Sequence, residues 1–227
     1  MSASAEFTDK FRIVKPIGRG GMGEVFLAHD IRLERDVAVK FLRSDLGRND
    51  LRAHIAAEAQ ILAKLNHPNI VQVYDIIESD GATALVMEYV DGQNLHILLR
   101  ERSPDTPEML RWLSEIAAGI AAAHSVGVVH NDLKAENVLV NSANIAKVTD
   151  FGIAGTTLDP REDIYALGRL ANSMLDSQAA IPPNLSHLLQ QLSHPDAAKR
   201  PTATEAATSL RRAWLESTQQ ETALPEI

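Results

Sequence analysis

Cysteine is absent from all 227 residues, so neither a disulfide framework nor thiolate metal chemistry holds this chain together. A reducing compartment suits such a chain, and the cytoplasm is the expected setting. Long apolar runs are missing too. The longest, around Ile116 to Ala123, falls far short of the roughly 20 residues that cross a bilayer, and no apolar segment precedes Phe7. No membrane segment is expected. Basic charge is scarce: 22 Lys and Arg against 30 Asp and Glu leave a net charge of −8. That balance speaks against a nucleic-acid partner, because phosphate backbones are held by a basic face. Internal repeats are lacking as well.

What is present is an apolar fraction of 45%, enough core for one large domain or two small ones. Arg12 to Ile17, Glu24 to His29 and Asp36 to Phe41 alternate as strands. Between the first two stands Gly18-Arg19-Gly20-Gly21-Met22-Gly23, a Gly-x-Gly-x-x-Gly pattern. A dinucleotide site needs these glycines between a strand and a helix, whereas Glu24-Val25-Phe26-Leu27-Ala28 alternates into another strand. A glycine-rich hairpin can lay its backbone over a polyphosphate, and an ordinary flexible hairpin needs glycines too. Lys40, on the third strand, reads by itself as a solvated edge lysine.

The helix that follows, capped by Asn49 or Asp50, places Ile55, Glu58, Leu62 and Leu65 on one stripe. A carboxylate inside an apolar stripe is costly unless a cation meets it. Val71 to Ile77 and Thr83 to Met87 complete a five-stranded sheet. A short helix spans Asn94 to Arg100. A long one, with Thr106 as cap and Pro107 in its first turn, runs through Ala123. Leu113, Ile116, Ala117, Ile120 and His124 form its core face, with Trp112 as a packing residue and His124 packed or capping. His54, His96 and His194 show no metal-ligand spacing.

The densest polar stretch is His130-Asn131-Asp132-Leu133-Lys134-Ala135-Glu136-Asn137-Val138-Leu139-Val140, a polar turn from Asn141 to Ala146, then Lys147-Val148-Thr149-Asp150-Phe151-Gly152. Two carboxylates, a lysine and a carboxamide crowd around two short apolar runs. Two neighbouring strands would present these loop residues to a single cleft suited to a metal-bound phosphate.

The His-x-Asp-x-Lys-x-x-Asn loop followed by Asp-Phe-Gly resembles the catalytic loop and metal-binding turn of the Ser/Thr protein kinases. The Gly-Gly-Met-Gly loop is most similar to bacterial members. Val37-Ala38-Val39-Lys40, His67-Pro68-Asn69-Ile70, the hinge-like Glu88-Tyr89-Val90-Asp91-Gly92, Asp163-Ile164-Tyr165-Ala166-Leu167-Gly168 and the closing Lys199-Arg200-Pro201-Thr202-Ala203-Thr204-Glu205 extend the resemblance. It implies an α+β, bilobal fold: a small β-rich lobe with one main helix over residues 11–90, and a mostly helical lobe over 91–217. Residues 1–10 and 218–227 read as tails.

The resemblance also implies ATP and Mg²⁺ as cofactors. Ile17, Gly18, Gly20, Gly23, Val25, Ala38, Met87, Glu88, Val90 and Leu139 would line the ATP site. Lys40, paired with Glu58, would hold the α- and β-phosphates. Glu88 and Val90 would contact adenine through backbone groups, with Met87 at the back of the pocket. Asp132 would take the acceptor's proton, Lys134 would stabilise the transferring phosphoryl, and Asn137 and Asp150 would hold the metal. His130 and Phe151 would pack the two loops, and Asp163 would brace the catalytic loop.

Departures are informative. Asn131 stands where the family usually has Arg, and Ala135 where Pro is common. Only Ile153 to Glu162 separate Gly152 from Asp163, where most members insert a long activation segment ending in Ala-Pro-Glu. The usual Arg reads a phosphate on that segment, so the two departures share one explanation: activity is not switched by phosphorylation there. After Met174-Leu175-Asp176-Ser177 the next helix begins almost at once, at Ile181-Pro182-Pro183-Asn184-Leu185. Arg200 ordinarily pairs with the absent glutamate; replacement by Glu162 and a solvated Arg200 both stay open. Thr202 and Glu205 have capping-box spacing, and the residues after Ser217 read as a polar tail.

Three functions fit. The first is a minimal Ser/Thr kinase acting on a protein substrate, with a dedicated partner protein as one route to recruiting it. The others are a nucleotide-binding pseudokinase scaffold and a small-molecule kinase. The first leads, because every group needed for Mg·ATP and proton handling remains.

Overall fold

The computed structural model describes residues 9–20, 23–42, 60–79, 82–151, 159–176 and 182–222. The chain divides into two compact units. One takes the chain through Asn66 and again over Val71–Asp91; the other takes His67–Ile70 and everything from Gly92 onward.

The first unit is a five-stranded antiparallel sheet, with strands β1 (Phe11–Gly20), β2 (Gly23–Asp30), β3 (Arg35–Leu42), β4 (Val73–Ser79) and β5 (Ala82–Glu88). Their order is β1-β2-β3-β5-β4. Burial on both faces suits the central place of β3: Val37, Ala38, Val39 and Lys40, which point alternately to the two faces, are all buried. Val37 and Val39 join Phe11, Ala28, Ile77, Ala84 and Val86 in one dry core, with Phe41 packed against it. The opposite face carries Leu27, Ala38, Lys40, Leu85 and Met87, all buried. Pro16 sits on β1, an edge strand with irregular pairing on both sides of it, where a missing N–H costs no ladder bond. Of the helix expected to carry Glu58, residues 60–64 are described as helical, and Glu58 itself lies outside the described residues.

Among the described residues the second unit has a three-stranded antiparallel sheet, β6 (Gly92–Asn94), β7 (Val138–Asn141) and β8 (Ala146–Val148), and five α-helices: α1 (Leu95–Glu101), α2 (Thr106–Ser125), α3 (Arg161–Leu175), α4 (Pro183–Leu192) and α5 (Ala203–Thr222). β6 was not expected. Its three residues carry no periodic signal, and pairing with β7 creates it; Gly92 is required there because a Cβ would run into the Val140 carbonyl.

α2 is capped one residue earlier than its sequence suggests. Asp105, not Thr106, accepts the Glu108 N–H, at 2.8 Å, and Pro107 occupies the first turn. Trp112, Leu113, Ile116, Ala117 and Ile120 are wholly buried along its core face. Gly119 lets the His67–Ile70 loop approach closely, for a Cβ there would lie 2.8 Å from the Asn69 carbonyl oxygen. Asn69 in turn donates its side-chain N–H to the Ala146 carbonyl (2.9 Å) and accepts the Val148 N–H (2.8 Å). That loop therefore belongs to the second unit, although it precedes β4 in sequence.

α5 opens on the expected capping box: the Thr202 N–H and hydroxyl both donate to Glu205, at 2.8 and 2.9 Å. It then runs to Thr222 and packs along α2. A tail was expected after Ser217, but neither Gly nor Pro interrupts the chain before Pro225, so nothing stops the helix where polarity alone suggests it should end.

α3 and the end of α4 touch through Gly168, where a Cβ would stand 2.6 Å from Ser193 Oγ and 2.9 Å from Leu192. Gly168→Ala should therefore overpack the contact and cost about 1–3 kcal/mol of folding stability, measured by urea denaturation.

Candidate active site

The site's organising group is Asp163, in the first turn of α3 and only 1% exposed. A carboxylate buried so deeply must fill its lone pairs with donors. It does so with three: the His130 N–H (2.7 Å) and His124 Nε2 (2.8 Å) reach Oδ2, and the Asn131 N–H (2.8 Å) reaches Oδ1. Two successive backbone N–H groups thus converge on one carboxylate, and the chain leaves the second of them in the left-handed conformation at Asn131, φ 64°, which Asn tolerates better than most residues. His124, expected as packed or capping, serves as the third donor. Its partner lies in another helix, out of reach of any local pattern.

His130 is fully buried and does more than pack. Its Nε2 donates to the Thr149 carbonyl at 3.0 Å, while Nδ1 accepts the Asp132 N–H at 3.2 Å. That pair of contacts requires the neutral ring with its proton on Nε2. Burial is the largest influence on this imidazole and pushes its pKa below the ordinary value, against the opposing pull of Asp163. The Phe151 ring stands against it, centroids 4.6 Å apart. His130 thus ties the loop bearing Asp132 to the strand end bearing Asp150.

Three of the expected residues meet at Asp132. Lys134 Nζ lies 2.6 Å from Asp132 Oδ2, and Asn137 Nδ2 donates both to the Asp132 carbonyl (2.8 Å) and to Oδ2 (3.1 Å). Both side-chain contacts fall on one carboxylate oxygen. Asp132 and Lys134 are about half exposed, as groups that must meet an external acceptor would be, whereas Asn137 is buried. With its amide nitrogen committed to Asp132, Asn137 turns Oδ1 the other way. Its main-chain carbonyl accepts the Thr149 N–H at 2.9 Å, which holds Asn137 beside the residue preceding Asp150. Asp150 is left-handed, φ 58°. An amide oxygen and a carboxylate are hard donors, and a pair of them matches the few protein ligands that Mg²⁺ takes when phosphates and water supply the rest. Leu139 lies on β7, half-buried, opposite Asn94 and Lys147.

The remaining expected residues belong to the first unit, and strand register groups them. Val25 lies opposite Lys40, and Ala38 opposite Met87, so all four share the sheet face that is not the dry core. Gly18 pairs with Val25, and Gly20 with Gly23, at the turn end of the β1–β2 hairpin, while Ile17 is exposed on β1. Gly23 is required: a Cβ would collide with the Phe41 carbonyl. Lys40 is 5% exposed, which overturns the reading of a solvated edge lysine. The Glu88 N–H is bonded to the Gln72 carbonyl at 2.8 Å, and Val90, two residues on, is buried.

A family model described as "Protein kinase domain" matches residues 11–165. Relatives include a probable serine/threonine-protein kinase PknB of Lactococcus lactis, 37% identical over 76% of this chain and 32% of its own length. Serine/threonine-protein kinase PrkC of Bacillus subtilis is 34% identical over 83% of this chain and 34% of its own. Serine/threonine-protein kinase PknB of Mycobacterium tuberculosis is 33% identical over 78% and 34%. The chain spans about a third of the length of the curated relatives it matches.

The buried imidazole gives a pH signature. Folded His130 takes up its proton at lower pH than the unfolded chain, whose value is near 6.5, so below 6.5 the unfolded state binds more protons. Stability conferred by the neutral ring is present above pH 6.5 and is lost as pH falls through that value. Urea titrations across this range should show the decline, and a His130→Gln variant, which gains no proton, should lose that part of the slope.

Proposed function

Because the chain belongs to the protein kinase domain family, we propose that it transfers the γ-phosphoryl group of ATP to Ser or Thr hydroxyls of a protein substrate, with Mg²⁺ as cofactor. The observation that carries this reading is the convergence of Lys134 and Asn137 on the Asp132 carboxylate, beside a loop tied to Asp150 through Thr149. Phosphoryl transfer asks a protein for little covalent chemistry and much positioning, and Asp132 and Asn137 are held from outside the trio, by His130 and Thr149.

In this reading Asp132 orients the acceptor hydroxyl and receives its proton. Lys134, already against the same carboxylate, offers its ammonium to the charge that grows on the moving phosphoryl oxygens. Asn137 Oδ1 and Asp150 would hold Mg²⁺, which when bound neutralises the phosphates of ATP. On the other unit, Lys40 would meet the α- and β-phosphates, the β1–β2 glycines would cover them, and Ala38, Val25 and Met87 would supply an apolar surface for the base. With its N–H committed to Gln72, Glu88 would address adenine through its carbonyl, and Val90 through its N–H.

Control by activation-loop phosphorylation is not part of this proposal. Asn131 directs its side-chain N–H to the Val129 carbonyl at 3.3 Å, within its own loop, and offers no guanidinium to a phosphate. The segment between Gly152 and Asp163 is short, and most of it lies outside the described residues. A dedicated partner would then take over substrate recruitment. The proposed setting is the cytoplasm, where ATP is available; no helix among the described residues is long and apolar enough to cross a membrane.

Two experiments test the reading. The purified chain with Mg·ATP and a cell extract as acceptor should phosphorylate Ser or Thr, identified by mass spectrometry. Asp132→Asn should lower that rate by about 10²- to 10⁴-fold, and Lys40→Met by about 10²-fold. Nucleotide binding without transfer to any acceptor would replace this reading with a scaffold. Separately, Thr156→Ala and Thr157→Ala should leave turnover unchanged, and stimulation by a phosphate on either threonine would overturn the unswitched reading.

A further inference from the structure

Arg200 is a buried cation, 8% exposed, just ahead of α5. Its guanidinium donates through Nε to the His194 carbonyl (2.8 Å) and through Nη1 to both the Arg161 carbonyl and Glu162 Oε1 (2.9 Å each). Nη2 points to the Pro195 carbonyl at 3.4 Å, and the Tyr165 ring centroid lies 4.7 Å from Cζ. Of the two states left open by the sequence, the ion pair with Glu162 is the one formed. Arg161 reciprocates, donating from Nη1 to the Ala197 carbonyl at 2.6 Å.

Arg161, Glu162 and Asp163 are consecutive in the first turn of α3, yet they grip two different segments. The first two hold the turn leading into α5, and the third holds the backbone of His130 and Asn131. Residues within one helical turn are fixed to each other by the backbone, and packed interiors transmit small shifts instead of absorbing them. A change at Glu162 is therefore felt at Asp163. We propose that Glu162 and Arg200 are positioning residues for the loop that carries Asp132, acting through the first turn of α3. The kinetic half of this proposal rests on the phosphotransfer reading; the structural half does not.

The test uses the full chain with Glu162→Gln, which removes the ion pair and leaves the carbonyl contacts of Arg200 in place. Arg200→Met serves as the severe variant and Glu162→Asp as the conservative one. Hydrogen exchange is followed at the amides of His130 and Asn131 and, for comparison, in the middle of α2.

For Glu162→Gln the expected result is an almost unchanged unfolding midpoint, with exchange at His130 and Asn131 faster by about three- to tenfold and no change in α2. kcat should fall by a similar factor with KM for ATP unchanged, and Glu162→Asp should recover part of both. Wild-type exchange at His130 and Asn131 in Glu162→Gln overturns the proposal, as does acceleration spread evenly over the second unit, which would mark a purely structural pair. If the unmutated chain transfers no phosphate, the phosphotransfer reading fails alone, and exchange still decides this one.

Discussion

A buried carboxylate with three donors is the constraint on which the second unit depends. Asp163 has almost no contact with water, so its charge must be compensated by hydrogen bonds and by the positive end of α3, in whose first turn it lies. Its donors come from α2 (His124) and from the loop after it (His130 and Asn131). Losing any one of them would leave a desolvated charge short of a partner, so the position of the loop and that of the helix are a single energetic problem. Immediately after the two N–H groups that meet this carboxylate, the chain turns through the left-handed conformation at Asn131 towards Asp132. The loop is thus shaped from beneath, and its exposed residues, Asp132 and Lys134, inherit a geometry they do not themselves maintain.

The first unit solves a different problem with the same economy. Period-two alternation sends Val37 and Val39 into the dry core and Ala38 and Lys40 to the other face of the same strand. Cross-strand register then gathers Val25 and Met87 around them. A one-residue slip of β3 would exchange the two faces, burying Lys40 in the core and withdrawing it from the row it shares with Val25. The dry core fixes that register. The hydrophobic packing that stabilises the sheet also decides where its buried lysine points.

The legible parts of this architecture were those governed by local periodicity. Strand alternation, the Pro107 helix start and the Thr202–Glu205 capping box all rest on contacts between residues a few positions apart, and all appear in the structure. The two loops were legible for another reason: their spacing resembles a known constellation. What escaped depended on distant partners or on very short elements. His124 finds its carboxylate 39 positions away, and β6 exists only because β7 pairs with it. The α2 cap was displaced by one residue because Asp105 and Thr106 are both good caps, and only geometry chooses between them. Glu58 stays an expectation drawn from its stripe, since it lies outside the described residues.

The same distinction bears on how such a loop can be set. A guanidinium beside the aspartate waits for an anion, and the loop then changes with the supply of that anion. A carboxamide has no such dependence. Asn131 closes onto Val129 within its own loop, and its backbone conformation is one that Asn adopts at little cost. Arg200 likewise meets its carboxylate in α3 itself, one residue from Asp163. Both contacts are made between described residues of the second unit, one beside Asp132 and the other beside Asp163.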